Sequence, residues 1–220
     1  MNNKLDTPLK LGPPKNSQRR IGLTGGIGSG KSSISQFLQE DKKLPVLDSD
    51  IYAKEALGPD TDATKSVFQR YGDLIKDESS DNTLKINRSL LGKIIFNNKE
   101  ERLWLEKILH PLITKRLIRE MDIKTKEPII VIVVPLLFEI ELTGLCNEIW
   151  VVNCTPEQQC ERIMKRDNLS LNDSLKRINA QIPLRDKIGL ADFVIDNSKN
   201  LNHAIRQVDN YVKKSIPEVS

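Results

Sequence analysis

Residues 25–32 read Gly-Gly-Ile-Gly-Ser-Gly-Lys-Ser, a Gly-x-x-x-x-Gly-Lys-Ser string with four glycines in eight positions. Glycine has no side chain to bury and loses the most backbone entropy on ordering, so this stretch is not built for a core. Its glycines let the chain bend with amide N–H groups turned inward, and they let backbone approach a bound group closely. A polyphosphate needs such a cradle, and the positive end of a following helix adds to the field. Lys31 is spaced to reach the β- and γ-phosphates, and the Ser32 hydroxyl to ligand Mg²⁺. The candidate ATP-binding residues are therefore Gly26, Ile27, Gly28, Ser29, Gly30, Lys31, Ser32 and Ser33. A dinucleotide turn is excluded, because Gly25, Gly28 and Gly30 do not fit Gly-x-Gly-x-x-Gly.

A phosphate loop serves kinases, GTPase switches and motor ATPases alike, so the acceptor chemistry must come from elsewhere. Asp48-Ser49-Asp50 lies where a second strand ends, the edge at which open α/β sheets bind ligands. Asp48 is assigned to the Mg²⁺ shell and Asp50 to the base that takes a proton from an attacking hydroxyl. The plainer alternative makes Asp50 the N-cap of a helix beginning at Ile51. Glu139 ends a strand-like run and is expected on the phosphate or acceptor side, or else as a surface acid at a helix start. Arg162 and Arg166 are four apart and share a helix face, as do Arg177 and Gln181, with Arg185 beyond Pro183. Guanidinium forks delivered on closure suit the charge of a transferring phosphoryl group, and Arg166 is the first choice. The rival reading pairs these arginines with Glu161, Asp167, Asp173 and Asp186 on a solvated face. His110 is read as a helix-stop residue bracing the acceptor pocket, and Phe96 and Trp104 as core. The Asn98-Lys99-Glu100-Glu101 string sits in a helical stretch rather than after a strand, which disfavours a GTPase.

These groups must be positioned by alternating elements. Residues 20–24 predict a buried strand feeding the glycine loop, and 32–40 a helix with Ile34, Phe37 and Leu38 on one face. Residues 44–47 predict a second strand. The pattern from 51 to about 121 is helical, broken at Gly58-Pro59, Tyr71-Gly72 and the polar stretch 76–82. A helix over 99–109 is expected to stop at His110-Pro111, with another running on to Met121. Strands are predicted at 128–137 and 148–153. Thr155-Pro156-Glu157 carries the start signals of a helix reaching Arg166. A charged helix opening at Asn172-Asp173-Ser174 must end near Ala180, because Pro183 follows. A last strand at 191–196 and a helix at 200–213 complete a parallel sheet with helices on both faces.

The whole composition agrees with one α/β domain. Of 220 residues, 38% are hydrophobic and 29% charged, enough of each for a core and a solvated surface. The longest apolar run, 129–138, is ten residues with a proline inside it, short of the ~18 a membrane span needs. The net charge of +4 sits in the first 20 residues, which hold five basic residues against Asp6. The remainder carries 29 basic and 29 acidic residues. No basic stripe is left for nucleic acid. Residues 1–18 are expected to form a disordered basic extension. Three cysteines without C-x-x-C spacing argue against a disulfide framework or zinc site and for a cytoplasmic protein with reduced thiols.

The ordered set of motifs resembles the dephospho-CoA kinase family. It comprises the string from Leu23 to Ser32, Asp48-Ser49-Asp50, Ile94-Ile95-Phe96 and Leu109-His110-Pro111-Leu112. It continues with Val134-Pro135-Leu136-Leu137-Phe138-Glu139, Arg162-x-x-x-Arg166-Asp167 and Ala191-Asp192-Phe193-Val194-Ile195-Asp196-Asn197. The resemblance covers about 20–212, and it is the combination that is specific. It implies a P-loop α/β/α fold in which ATP and Mg²⁺ serve transfer of the γ-phosphoryl to the ribose 3′-hydroxyl of dephospho-CoA. It implies a core (19–50, 126–155, 191–214), a helical acceptor region (51–125) and a lid (156–190). On that mapping Asp50, Lys31 and Arg166 are catalytic. Asn197 lies near the adenine, and His110, Leu136, Glu139 and Arg162 meet the acceptor. The chain is expected to be a monomer or small homo-oligomer without membrane or nucleic-acid partners. A kinase for another small hydroxyl acceptor, shikimate-like, and a nucleotide-dependent binding switch are the alternatives.

Overall fold

A computed structural model of the chain describes residues 18–78 and 83–214. Strands β1 (Arg19–Gly25), β2 (Val46–Asp48), β3 (Ile129–Val133), β4 (Glu148–Asn153) and β5 (Phe193–Asp196) form one sheet in the order β2-β3-β1-β4-β5. Every junction is parallel, so each return must cross a face of the sheet. Helix α1 (Lys31–Glu40) links β1 to β2. Helices α2 (Ser49–Ala56), α3 (Asp62–Tyr71), α4 (Arg88–Asn97) and α5 (Lys99–Ile123) intervene between β2 and β3. Helices α6 (Pro156–Asp167), α7 (Leu171–Asn179) and α8 (Leu184–Ile188) intervene between β4 and β5, and α9 (Leu201–Lys214) follows. This is the P-loop α/β/α architecture with its parallel sheet.

The period of two in the central strands divides the core. Ile130 and Ile132 of β3 join Leu47, Val134 and the apolar faces of the α2–α5 insert. Ile129, Val131 and Val133 join Ile21, Leu23, Trp150 and Ile195 against α1 and α9. All five residues of β3 are buried, as befits a strand covered on both faces. The strand is shorter than the predicted 128–137. Val134 still donates its N–H to Leu23 O at 3.1 Å, and the chain turns from Pro135 onward, where a residue without an N–H cannot extend the pairing.

The expected break at His110-Pro111 does not occur, for α5 runs through Pro111 without ending. An internal proline costs about 3 kcal/mol. Beyond it, however, Ile113, Leu117 and Met121 continue the four-residue stripe of Leu105 and Leu109 into the core. Three such side chains at ~1.5–3 kcal/mol each outweigh one lost hydrogen bond. Trp104 packs against the core as expected, but Phe96 is 41% exposed. Gln18, placed at the end of the expected disordered extension, is instead buried and donates to the carbonyls of Lys124 and Glu127 at 2.7 and 2.8 Å. Residues 1–17 lie outside the described chain. Among the described residues no helix is long and apolar enough to cross a membrane, and all three cysteines are free thiols.

Candidate active site

The phosphate loop joins β1 to α1, and its N-cap is Gly30 at φ 99°, with no side chain bonded to the first-turn amides. By contrast Thr61, Asn87, Asn98, Thr155 and Ser170 cap α3 to α7 through side-chain oxygens. In the first turn of α1 the Ser33 and Ile34 N–H groups bond back to Gly30 O at 3.2 and 3.4 Å, which leaves those of Lys31 and Ser32 for an anion among the described residues. The loop's carbonyls, meanwhile, are tied outward. Gln159 Nε2 donates to Ile27 O and Asn197 Nδ2 to Ser29 O, each at 2.8 Å, and both side chains are buried. Arg162 reaches Gly28 O at 3.4 Å, Ser29 O at 3.3 Å and Asn197 O at 3.1 Å. A Cβ at Gly26 would stand 2.2 Å from Gln159 Nε2, and one at Gly30 would stand 2.2 Å from Asn197 Nδ2. These two glycines therefore admit the braces behind the loop as well as a ligand in front of it.

Lys31 folds onto the loop, donating from Nζ to Gly25 O at 2.9 Å and Gly26 O at 3.0 Å. Enclosure of its ammonium pushes the pKa down to about 8. The carboxylates of Asp50 and Asp48 oppose that shift, while the charges of Lys187 and Arg166 add to it. Ser32 is exposed and Ser33 half-buried at the start of α1.

At the end of β2, Asp48 is the cap of α2: its Oδ1 accepts the N–H of Asp50 at 2.8 Å. The capping alternative considered for Asp50 therefore belongs to its neighbour. Asp50 lies in the first turn with exposed surface. Its pKa is raised, first by desolvation and then by Asp48, with Lys31, Lys54 and Arg166 pulling the other way. A hydroxyl (Ser32) and a carboxylate (Asp48) suit Mg²⁺, which dehydrates reluctantly and takes its other ligands from phosphates and water. No three His, Cys, Asp or Glu residues converge on a metal position among the described residues.

The arginines that share a face of α6 diverge. Arg162 turns to the carbonyls of Gly28, Ser29 and Asn197. Arg166, exposed, forks onto Asp167 at 2.7 and 2.9 Å while its charge is felt at both Asp50 and Lys31. Asp167 also accepts from Arg177 at 2.7 Å, and the Arg177 guanidinium stacks 4.0 Å from the centroid of the Phe96 ring. That stacking explains why Phe96 is not core: it joins α4 to α7. Arg185 pairs with Asp186 at 3.3 Å on the surface. His110 sits inside α5, half-buried, its pKa lowered by burial against the counter-pull of Glu106. Leu136 is half-buried in the turn after β3. Asn197 Nδ2 donates to Ser29 O, a contact that shapes the loop.

Glu139 is neither a free surface acid nor open to the cleft through Oε1. That oxygen accepts from Lys187 Nζ at 2.7 Å and from the Ile182 N–H at 3.1 Å. Gln181, paired with Arg177 in the sequence reading, instead accepts the Ile27 N–H on its Oε1 at 2.9 Å, and two participants were not marked by the sequence motifs: Gln159 and fully buried Lys187. Gln159 had a faint signal, lying one turn before Ile163 on the buried side of α6. Lys187 had none.

A family model described as dephospho-CoA kinase matches residues 19–203. The dephospho-CoA kinase of Prochlorococcus marinus (strain MIT 9313) is 48% identical over 181 residues, 82% of this chain and 89% of that protein. Among solved structures, the protein TT1252 from Thermus thermophilus matches with TM-score 0.71 and 27% identity, over 90% of this chain and 98% of that one. Dephospho-CoA kinase from Campylobacter jejuni matches with TM-score 0.58 and 27% identity, over 90% and 98%. Matched along nearly its whole described length, the chain belongs to the dephospho-CoA kinase family.

Proposed function

We infer that this ATP-dependent kinase transfers the γ-phosphoryl group of ATP to the ribose 3′-hydroxyl of dephospho-CoA, releasing ADP and CoA. The observation that carries the reading is the freedom of Asp50. Because Asp48 takes the cap, the Asp50 carboxylate accepts no hydrogen bond among the described residues and stands in the electrostatic neighbourhood of Lys31 and Arg166. In the reaction the bond from the γ-phosphorus to the β,γ-bridging oxygen breaks as the bond to O3′ forms, and the 3′ proton passes to Asp50. The raised pKa of Asp50 brings it closer to working pH, where a base is most effective.

The loop amides and Lys31 hold the polyphosphate. For this, Lys31 must exchange the carbonyls of Gly25 and Gly26 for phosphate oxygens. Ser32 and Asp48 would hold Mg²⁺, which supplies neutralisation of phosphate charge when bound. Arg166 is placed to stabilise charge on the transferring group, and the α6–α8 segment acts as the lid that excludes water. Helices α2–α5 form the acceptor region, with His110 and Leu136 lining it. The enzyme works as a cytoplasmic monomer or small homo-oligomer with no nucleic-acid partner.

The test is ADP release from purified full-length chain with MgATP and dephospho-CoA, shikimate or no acceptor. Saturable turnover with dephospho-CoA alone is expected. Equal turnover with shikimate, or none above background, overturns the assignment.

A further inference from the structure

Lysine is almost never fully buried unless paired, yet Lys187 on the short α8 has no exposed surface. Its ammonium donates to Glu139 Oε1 at 2.7 Å and to Pro135 O at 3.1 Å, both in the turn that leaves β3. The same Glu139 oxygen accepts the Ile182 N–H at 3.1 Å. The preceding residue, Gln181, gives its side-chain carbonyl to the Ile27 N–H in the phosphate loop at 2.9 Å. A continuous set of polar contacts thus runs from the end of β3, through a buried ion pair and the 181–182 peptide, to the loop that cradles phosphate.

Glu139 Oε2 is buried and has no hydrogen-bond partner among the described residues. The carboxylate therefore depends on Lys187 for its charge compensation. Removing one member of a buried pair leaves an uncompensated charge, and the remaining group then reorganises its surroundings. Here the surroundings are the 181–182 peptide and, through it, the phosphate loop.

We propose that Lys187 is a positioning residue for phosphoryl transfer: it compensates Glu139, and so holds Gln181 against the Ile27 amide and the loop in its working shape. The inference rests on the kinase reading for its catalytic readout, but it has a second readout that needs no turnover. Lys187 touches no nucleotide in this scheme. It acts through Glu139 and Gln181.

The experiment compares the full-length wild type with Lys187→Met, Glu139→Gln and the Lys187→Met/Glu139→Gln double variant. It measures kcat and KM for ATP and dephospho-CoA, thermal unfolding, and amide hydrogen exchange of Ile27 in nucleotide-free protein. Lys187→Met is expected to lower kcat on the order of 10–100-fold, the scale of a small misplacement of reacting groups. It should also speed Ile27 exchange about tenfold or more as the local tie is released. The double variant, relieved of the bare carboxylate, should recover much of both losses. Wild-type kcat and Ile27 exchange in Lys187→Met overturn the proposal, and so does a double variant no better than Lys187→Met.

Should Lys187→Met fail to fold, Gln181→Ala tests the same link from its half-buried end. Faster Ile27 exchange with reduced kcat supports the proposal, and unchanged values of both overturn it. A wild type that does not use dephospho-CoA defeats the assigned reaction, while the exchange comparison still decides the position of Lys187.

Discussion

Asp48 Oδ1 accepts the backbone N–H of Asp50 at 2.8 Å, and this bond separates the duties of two carboxylates that share one turn. The first gives Oδ1 to the helix end. The second has both oxygens unbonded among the described residues. Asp50→Asn is therefore expected to lower kcat by about 10²–10⁴-fold, the usual worth of a positioned base, with ATP affinity little changed. Steady-state kinetics and a nucleotide titration check this. A variant that retains turnover per folded molecule would show that Asp50 takes no proton.

Asp48→Asn separates charge from capping, since asparagine caps as well as aspartate. Asp48 is one of the causes that raise the Asp50 pKa. A base acts when deprotonated, so activity climbs as pH rises through that pKa. Removing the neighbouring negative charge lowers the pKa and moves the acidic limb of kcat/KM to lower pH, whatever the change in maximal rate. An unmoved limb means that the two carboxylates are not coupled.

Lys31 carries the complementary signature. Its pKa of about 8 in the nucleotide-free protein lies well below the ordinary lysine range because its ammonium is enclosed. Phosphate oxygens favour the charged form, so ATP binding above pH 8 must draw in a proton, and affinity must fall as pH rises through that value. Calorimetry in two buffers of different ionisation enthalpy reads the uptake directly. We expect a fractional proton gained at pH 8.5 and none in Lys31→Met. Equal heats for the wild type in both buffers at pH 8.5 would contradict the assignment.

Gly30→Ala tests how the loop is braced. The added Cβ would stand 2.2 Å from Asn197 Nδ2, at a backbone φ of 99° that side-chain-bearing residues rarely adopt. Strain of about 1–3 kcal/mol is expected from the backbone conformation alone. The variant should melt earlier and lose ATP binding. Adding Asn197→Ala relieves the contact but not the φ, so recovery should be partial. A Gly30→Ala protein with normal ATP affinity would show that the brace is dispensable.

Much of this was readable along the chain because it depends on local chemistry. The glycine spacing, the Thr155-Pro156 helix start and the buried β3 run each carry their physical cause within a few residues. Thr155 does form the full capping box with Gln158, at the end where the sequence placed a helix start. The Pro111 break was misread for the converse reason. A proline's cost is local, but the stripe from Leu105 to Met121 that overrides it is realised only when the helix meets the core.

The pairings across the site had no such local cause. That Asp48 rather than Asp50 caps α2, that Arg162 serves the loop, and that Phe96 meets Arg177 depend on where three separate segments arrive. The linear order of amino acids by itself determined the nucleotide cradle and the alternation of strands and helices, since backbone freedom and hydrophobic period are short-range properties. Only the tertiary structure decided that Lys187 is buried against Glu139, 48 residues away in sequence. A lysine's burial depends on whether distant chain brings it a partner.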